Sequence, residues 1–269
     1  MDKNHNILLV GCGNMGAALL NGWLAQGFDP RRLHVVDAQG KALERARALG
    51  VSAQLTLDSV SLPVDVVVLA VKPQQLEALI PDCRPLAAAG SLMLSIAAGK
   101  PIEFFERLLG GQPMVVRAMP NTPAAIGQAI TALVANRAVG DAQRSLCERL
   151  MRAVGDVVWI DDEGLMDAVT AVSGSGPAYV FLLIEALSAA GVAAGLDSDL
   201  ADRLARATVA GSAAYAKQSP AAAATLREQV TSPGGTTQAA LEVLMADDGL
   251  VPLLRKAVQA AAARGRELA

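Results

Sequence analysis

Residues 7–16 read Ile7-Leu8-Leu9-Val10-Gly11-Cys12-Gly13-Asn14-Met15-Gly16, an apolar run broken by three glycines and followed by the helix-forming stretch 17–25. The run is short, aliphatic and not alternating, as expected for a strand buried on both faces of a parallel sheet. Each glycine then has a physical task. Gly11 permits a tight turn, Gly13 lets backbone approach a pyrophosphate, and Gly16 lets helix and strand pack closely. Asn14 and Met15 lie between them, so the first N–H groups of the helix would face the anion.

Working outward, a second apolar run, 33–36, ends in Asp37, twenty-one residues past Gly16. An acidic side chain there would accept hydrogen bonds from the adenosine ribose hydroxyls. Its charge would repel a 2′-phosphate, which favours NADH over NADPH. Arg31 and Arg32 precede the strand and belong at its far end, whereas Lys41 is near enough in sequence to restore NADPH binding. A strand-end turn residue is the plain alternative for Asp37. Two further strand ends belong beside a cofactor, at Val71-Lys72 and at Ala98. Lys72 has the reach to donate to a ribose hydroxyl, or it is simply a solvated lysine ahead of Pro73.

Composition narrows the function classes. Of the 269 residues 52% are apolar, enough for a substantial core. Twenty-three basic against 26 acidic residues give a formal charge of −3, with no basic block to track a phosphate backbone. Eight aromatics, 3% of the chain, offer little for base stacking, so nucleic acid is not an expected partner. Two histidines and three cysteines, without a Cys-x-x-Cys, argue against a metal site, a disulfide framework and a histidine triad. The odd, scattered cysteines read as reduced thiols in a cytoplasmic protein. His34 reads as a strand residue. The uncharged stretch 4–28 is not expected to be a signal or a membrane span, because glycines and amides interrupt it and the head carries Asp2 beside Lys3.

Up to about residue 161, β-branched runs at 6–10, 33–36, 64–71, 91–96, 114–119, 129–135 and 156–160 alternate with helical stretches such as 41–49 and 141–154. Strand and helix in turn mean βαβ units and a doubly wound α/β sheet. Beyond residue 161 long Ala/Leu-rich segments take over, at 179–194, 199–218, 221–230, 236–246 and 251–268. Glycines and prolines separate them. The expected domains are therefore 1–161, a dinucleotide-binding α/β domain, and 162–269, all-helical. The helical half has few bulky groups to bury and is expected to pack against a second subunit.

Three segments of the second site follow: Met119-Pro120-Asn121-Thr122-Pro123, Ser173-Gly174-Ser175-Gly176-Pro177-Ala178-Tyr179, and Val230-Thr231-Ser232-Pro233-Gly234-Gly235-Thr236-Thr237. The last is a turn leading into a helix start, with Ser232 able to cap and glycines leaving N–H groups bare toward an anion. The middle one either completes a pocket or forms a tight junction. By themselves such Ser/Gly/Pro clusters are ordinary helix boundaries. Together with the glycine loop, however, they make nearly the whole chain resemble the pyrroline-5-carboxylate reductases. The resemblance implies reduction of a cyclic imino acid to L-proline with NADH or NADPH, as the last step of proline biosynthesis. It also implies a Rossmann domain joined to a helical dimerisation domain, in a homodimer or a ring of dimers. By the same resemblance Thr237 reaches the ring nitrogen, Ser232, Gly234, Gly235 and Thr236 bind the substrate carboxylate, and Glu163 is an acid near the substrate. Asn121 and Lys72 match positions near the nicotinamide, while Gln229 stands where some relatives have Asn.

Three rivals remain. A related imine reductase would share nearly all these features. A β-hydroxyacid dehydrogenase needs a proton-transferring lysine in the first long helix of its second domain, and 179–194 contains none. A non-catalytic NAD-binding sensor would leave the second anion-ready loop without a role.

Overall fold

The computed structural model describes residues 5–60 and 63–268, so the Asp2-Lys3 head lies outside the described residues. The chain divides into two compact units, one running to Gly174 and including the segment from Ala261, the other Ser175–Ala260.

The first unit is built on eight strands: β1 Ile7–Val10, β2 Leu33–Val36, β3 Ser52–Gln54, β4 Val66–Leu69, β5 Leu92–Ser95, β6 Val115–Met119, β7 Ala129–Ala135 and β8 Gly155–Trp159. Their order is β3-β2-β1-β4-β5-β6-β7-β8. Strands β1 to β6 run parallel, with Leu9 opposite both Val35 and Val68. Reversal of order on either side of β1 makes the fold doubly wound. β7 turns back antiparallel to β6, and β8 is parallel to β7. That departure from an all-parallel sheet follows from the connection. Residues 120–128 hold only a 3₁₀ turn, Thr122–Ile126, and Gly127 at φ +70°. A parallel return needs a crossover of about a dozen residues or more. β3 is a sequence miss, because three half-polar residues on a sheet edge give no periodic pattern.

The continuous apolar strands bury both faces. Ile7, Leu9, Val66, Val68, Leu92 and Leu94 point into one aliphatic core, and Leu8, Val10, Val67, Leu69 and Met93 into another. Over the first lie α1 (Asn14–Ala25), α2 (Gly40–Ala48) and, later in the chain, α6 (Asp141–Arg152). Helix α1 buries Gly16, Leu19, Leu20 and Trp23, one helical face, and the Trp23 indole donates to Leu150 O at 2.9 Å. Over the second lie α3 (Leu76–Leu79), α4 (Arg84–Ala88) and α5 (Ile102–Leu109), the last seating Ile102, Phe104, Phe105 and Leu109. Met166 of α7 (Met166–Val169) closes this core. His34 is a strand residue as expected; its Nε2 is buried without a hydrogen-bond partner, and burial lowers its pKa. All three cysteines are buried free thiols.

The second unit is helical: α8 Gly176–Ala193, α9 Ser198–Gln218, α10 Ala223–Gln229, α11 Thr236–Leu244, and α12 Leu250–Leu268, whose last turns belong to the first unit. Asp197 caps α9 through the N–H groups of Asp199 and Leu200. The interior of this unit is small, with Ala201 and Ala205 of α9 buried. α8 buries none of its residues, and Phe181 and Leu182 are 61% and 63% exposed.

Candidate active site

Beyond β1 the chain turns sharply at Gly11, whose N–H donates to Val36 O at 2.8 Å. Its φ of +92° is a left-handed conformation, and a Cβ would stand 2.8 Å from the Ala70 carbonyl. Only glycine fits. At Gly16 a Cβ would run into the Gly11 carbonyl oxygen, so this residue sets the close approach of helix to turn. α1 then begins after Gly13 with no side-chain cap and no acidic residue in its first turn. Its leading N–H groups are left for a bound anion.

Asp37, at the end of β2, is half-buried and works on the same turn. One carboxylate oxygen accepts from Cys12 N–H at 2.6 Å, the other from Gln39 N–H at 2.8 Å. The acid therefore clamps the glycine turn as well as facing the cavity beside it. That cavity, of about 390 Å³, is lined by Gly11, Gly13, Asp37, Ala70, Val71 and Lys72 among others. Five expected cofactor residues thus come together at the carboxyl ends of β1, β2 and β4: Gly11, Gly13, Asp37, Val71 and Lys72. Asn14, Met15 and Gly16 form the adjoining first turn of α1 without lining the cavity. Sequence reasoning missed Gln39, Leu55 and Gln75, which also line it. The turn chemistry after each strand end was the available cue for Gln39 and Gln75. Cys12 lines a separate hollow between α1 and α2, and its thiol pKa is raised by burial and then by Asp37.

Ala98 and Asn121 are not in that cavity. Ala98 is half-buried in the turn after β5. Asn121, after β6, is buried with its amide engaged at both ends: Nδ2 donates to Ser173 O and Oδ1 accepts from Ile130 N–H, both at 3.1 Å. It ties three chain segments together. Glu163 is likewise committed. Its Oε1 accepts from Ile102 N–H at 2.8 Å and from Arg117 Nη1 at 2.5 Å. Arg117 escaped the sequence reading, although one arginine inside the apolar strand Val115-Val116-Arg117-Ala118-Met119 marks a buried cation in want of a partner.

The Ser173–Pro177 segment holds the expected helix start, with α8 opening at Gly176 after Ser175, but it is preceded by helical turns rather than by a loop. A π-helical turn, Thr170–Gly174, leads into α8, and the Ser173 hydroxyl donates to Val169 O at 2.9 Å.

Within the second unit, residues 230–237 form the expected turn, with two corrections. The N-cap of α11 is Gly235 rather than Ser232, which contributes its carbonyl to Gly235 N–H at 3.0 Å. The Gly234 N–H, at a residue with φ +70°, is taken by Gln238 Oε1 at 2.7 Å. α11 nevertheless starts without a side-chain cap or an acidic first turn, at Thr236 and Thr237. Ser232 and Gly234 are exposed and Thr237 half-buried.

Similarity to known proteins agrees with this layout. A family model described as NADP oxidoreductase, coenzyme F420-dependent, matches residues 6–99, and one described as pyrroline-5-carboxylate reductase dimerisation matches 163–268. A pyrroline-5-carboxylate reductase of Pseudomonas aeruginosa is 43% identical over 98% of this chain and 96% of its own. The structure of the Coxiella burnetii reductase superposes with a TM-score of 0.94 at 38% identity, covering 98% of each chain. That of the Plasmodium falciparum enzyme, with NADP bound, gives 0.85 at 27% identity over 100% of this chain and 99% of its own. With a glycine turn, an uncapped α1 and a helical half that matches end to end, the chain belongs to the pyrroline-5-carboxylate reductase family.

Proposed function

We propose that this protein reduces 1-pyrroline-5-carboxylate to L-proline, with NADH or NADPH as the reductant, in the last step of proline biosynthesis. The observation that carries the proposal is the 43% identity to a curated reductase over 98% of the chain. The residues fit the cofactor. Gly11 is barred from carrying a side chain by Ala70, and the α1 N-terminus is uncapped beside a cavity rimmed by Asp37. When bound, the nicotinamide supplies a hydride. Backbone N–H groups of Gly13, Asn14, Met15 and Gly16 would hold the pyrophosphate, and Asp37 the adenosine ribose. Val71, Lys72, Ala98 and Asn121 belong to its other end. Asp37 supports a preference for NADH by charge repulsion of a 2′-phosphate.

For the substrate we assign the carboxylate to the turn of Ser232, Gly234, Gly235 and Thr236, and the ring nitrogen to the Thr237 hydroxyl. Such a reaction asks little of a general acid. The imine nitrogen takes a proton from water before hydride reaches the adjacent carbon, so the protein's task is to orient the ring and exclude solvent. Glu163 fits this economy better as a support than as a proton donor, since one of its oxygens already accepts twice.

We take 1–161 as the nucleotide domain and 162–269 as the helical one, a division supported by the two family models. The bare apolar surface of α8 supports a homodimer, and the ring of dimers rests on the family resemblance alone. The helical stretch Glu163–Ala193 is long and apolar enough to cross a membrane, at mean hydropathy 1.6. A subunit face explains it as well, and the match of 163–268 to a dimerisation model favours that reading, in a cytoplasmic enzyme. Mixing protein, NADH and pyrroline-5-carboxylate tests the proposal. Falling nicotinamide absorbance with matching proline formation supports it; binding without oxidation rejects it in favour of a sensor. A second imine consumed faster than pyrroline-5-carboxylate would point to a different imine reductase.

A further inference from the structure

The turn from Ile96 to Pro101 joins β5 to α5, and it stands next to the end of β4 that lines the nucleotide cavity. In a sheet of this winding, ligands lie beyond the carboxyl ends of the strands, so the conformation of this turn bears on how a reduced ring is seated. Short turns of small residues do not hold themselves. Ala97 N–H donates to the Ser95 hydroxyl at 3.3 Å, which secures one end. The other end is the start of α5, where Pro101 provides no side-chain cap and the Ile102 N–H has no partner within the helix.

That N–H is met from 61 residues further along the chain by the Glu163 carboxylate at 2.8 Å. The same oxygen accepts from Arg117 on β6 at 2.5 Å, and the Arg117 side chain is only 9% exposed. A buried guanidinium needs its counter-charge, so the pair fixes Glu163 in place. A carboxylate at the first N–H of a helix also meets the positive end of the helix dipole. From outside, the last turn of α12 closes on the same segment. A Cβ on Gly99, at φ +76°, would lie 3.3 Å from the Leu268 carbonyl.

We propose that Arg117 and Glu163 are positioning residues, which hold the 96–101 turn through the Ile102 N–H and so set the hydride-transfer geometry. The proposal rests on the reading that this chain is a nicotinamide-dependent reductase, and its test separates the two. In the ligand-free protein, amide exchange at Ile102 reports the anchor alone. Glu163→Ala should raise it at least tenfold, whereas Glu163→Gln, which keeps an acceptor oxygen, should restore most of the protection. The double variant Arg117→Met with Glu163→Gln removes both charges and so avoids stranding a buried cation. It should fold and keep the anchor. In turnover, Glu163→Ala should lower kcat on the order of ten- to a hundredfold, the scale for a misplaced reacting group, while the Kd for NADH moves less than about twofold. Glu163→Gln should recover most of kcat. Unchanged exchange at Ile102 in Glu163→Ala, or kcat and NADH affinity falling together, overturns the proposal. Wild-type protein that never oxidises NADH with pyrroline-5-carboxylate overturns the reductase reading instead, and leaves the exchange result standing.

Discussion

At the scale of single residues, Gly11 is the most exposed to test. Alanine there would have to accept φ +92° and sit 2.8 Å from the Ala70 carbonyl. Strain of about 1–3 kcal/mol is expected, with loss of NADH binding, measured by thermal melting and by fluorescence titration. Asp37 has two duties, because its carboxylate takes the Cys12 and Gln39 N–H groups while facing the cavity. Asp37→Ser should therefore weaken NADH binding and also shift the NADH/NADPH ratio of kcat/KM toward NADPH. An unaltered ratio would remove the charge-repulsion argument. Thr237→Ala should depress kcat and raise the KM for the imine, by about tenfold in kcat/KM for one lost hydrogen bond of about 1.4 kcal/mol. Unchanged kinetics would reject its contact with the ring nitrogen. That the glycine turn, Asp37 and the Val71-Lys72 strand end would meet at one cavity was legible because each follows a strand, and a parallel sheet brings its carboxyl ends to one edge. The commitments of Asn121 and Glu163 were not. Their partners, Ser173, Ile130, Ile102 and Arg117, are set by tertiary folding, which spacing along the chain does not encode.

Among elements, strands with β-branched and aliphatic runs could be read nearly to the residue, as with β2 and β7, since burial on both faces demands that composition. The direction of β7 could not, because it depends on what the short 120–128 connection can span. α5 carried a helical pattern in Ile102, Phe104, Phe105 and Leu109 between Pro101 and Gly110, and was overlooked for its brevity. Elements also carry the pH response. Cys83, beside α4, and Cys147, on α6, are pushed up to about 12 from an ordinary 9.0, chiefly by burial. Above pH 9 the unfolded chain releases thiol protons that the folded chain retains. Stability from these groups is thus fully present below about 9 and is lost as pH rises toward 12. Denaturation of wild type and Cys147→Ala at successive pH values should show the wild-type advantage narrowing from pH 9 upward. A constant gap would mean the thiol ionises freely in the native state.

For the whole molecule, the division into an α/β part and a helical part was visible in texture alone, and the helical part's need for a second copy followed from its poverty in bulky side chains. The exposed apolar surface of that part includes Phe181, Leu182 and Leu183 of α8, each 48–63% exposed, and the proposed homodimer would cover them. Leu182→Asp should convert a dimer to monomers or aggregates, seen by light scattering after gel filtration, on the scale of about 2 kcal/mol or more for a central apolar contact. A dimer persisting with unchanged mass would place the interface elsewhere.

One consequence of an α8 with no buried residue reaches beyond the fold. The first unit owns a core on each side of its sheet, whereas α8 buries none of its residues, so in the proposed homodimer the second unit would draw much of its apolar burial from another chain. Its survival then becomes a matter of mass action. Dilution alone should loosen it, and apparent melting should climb with protomer concentration.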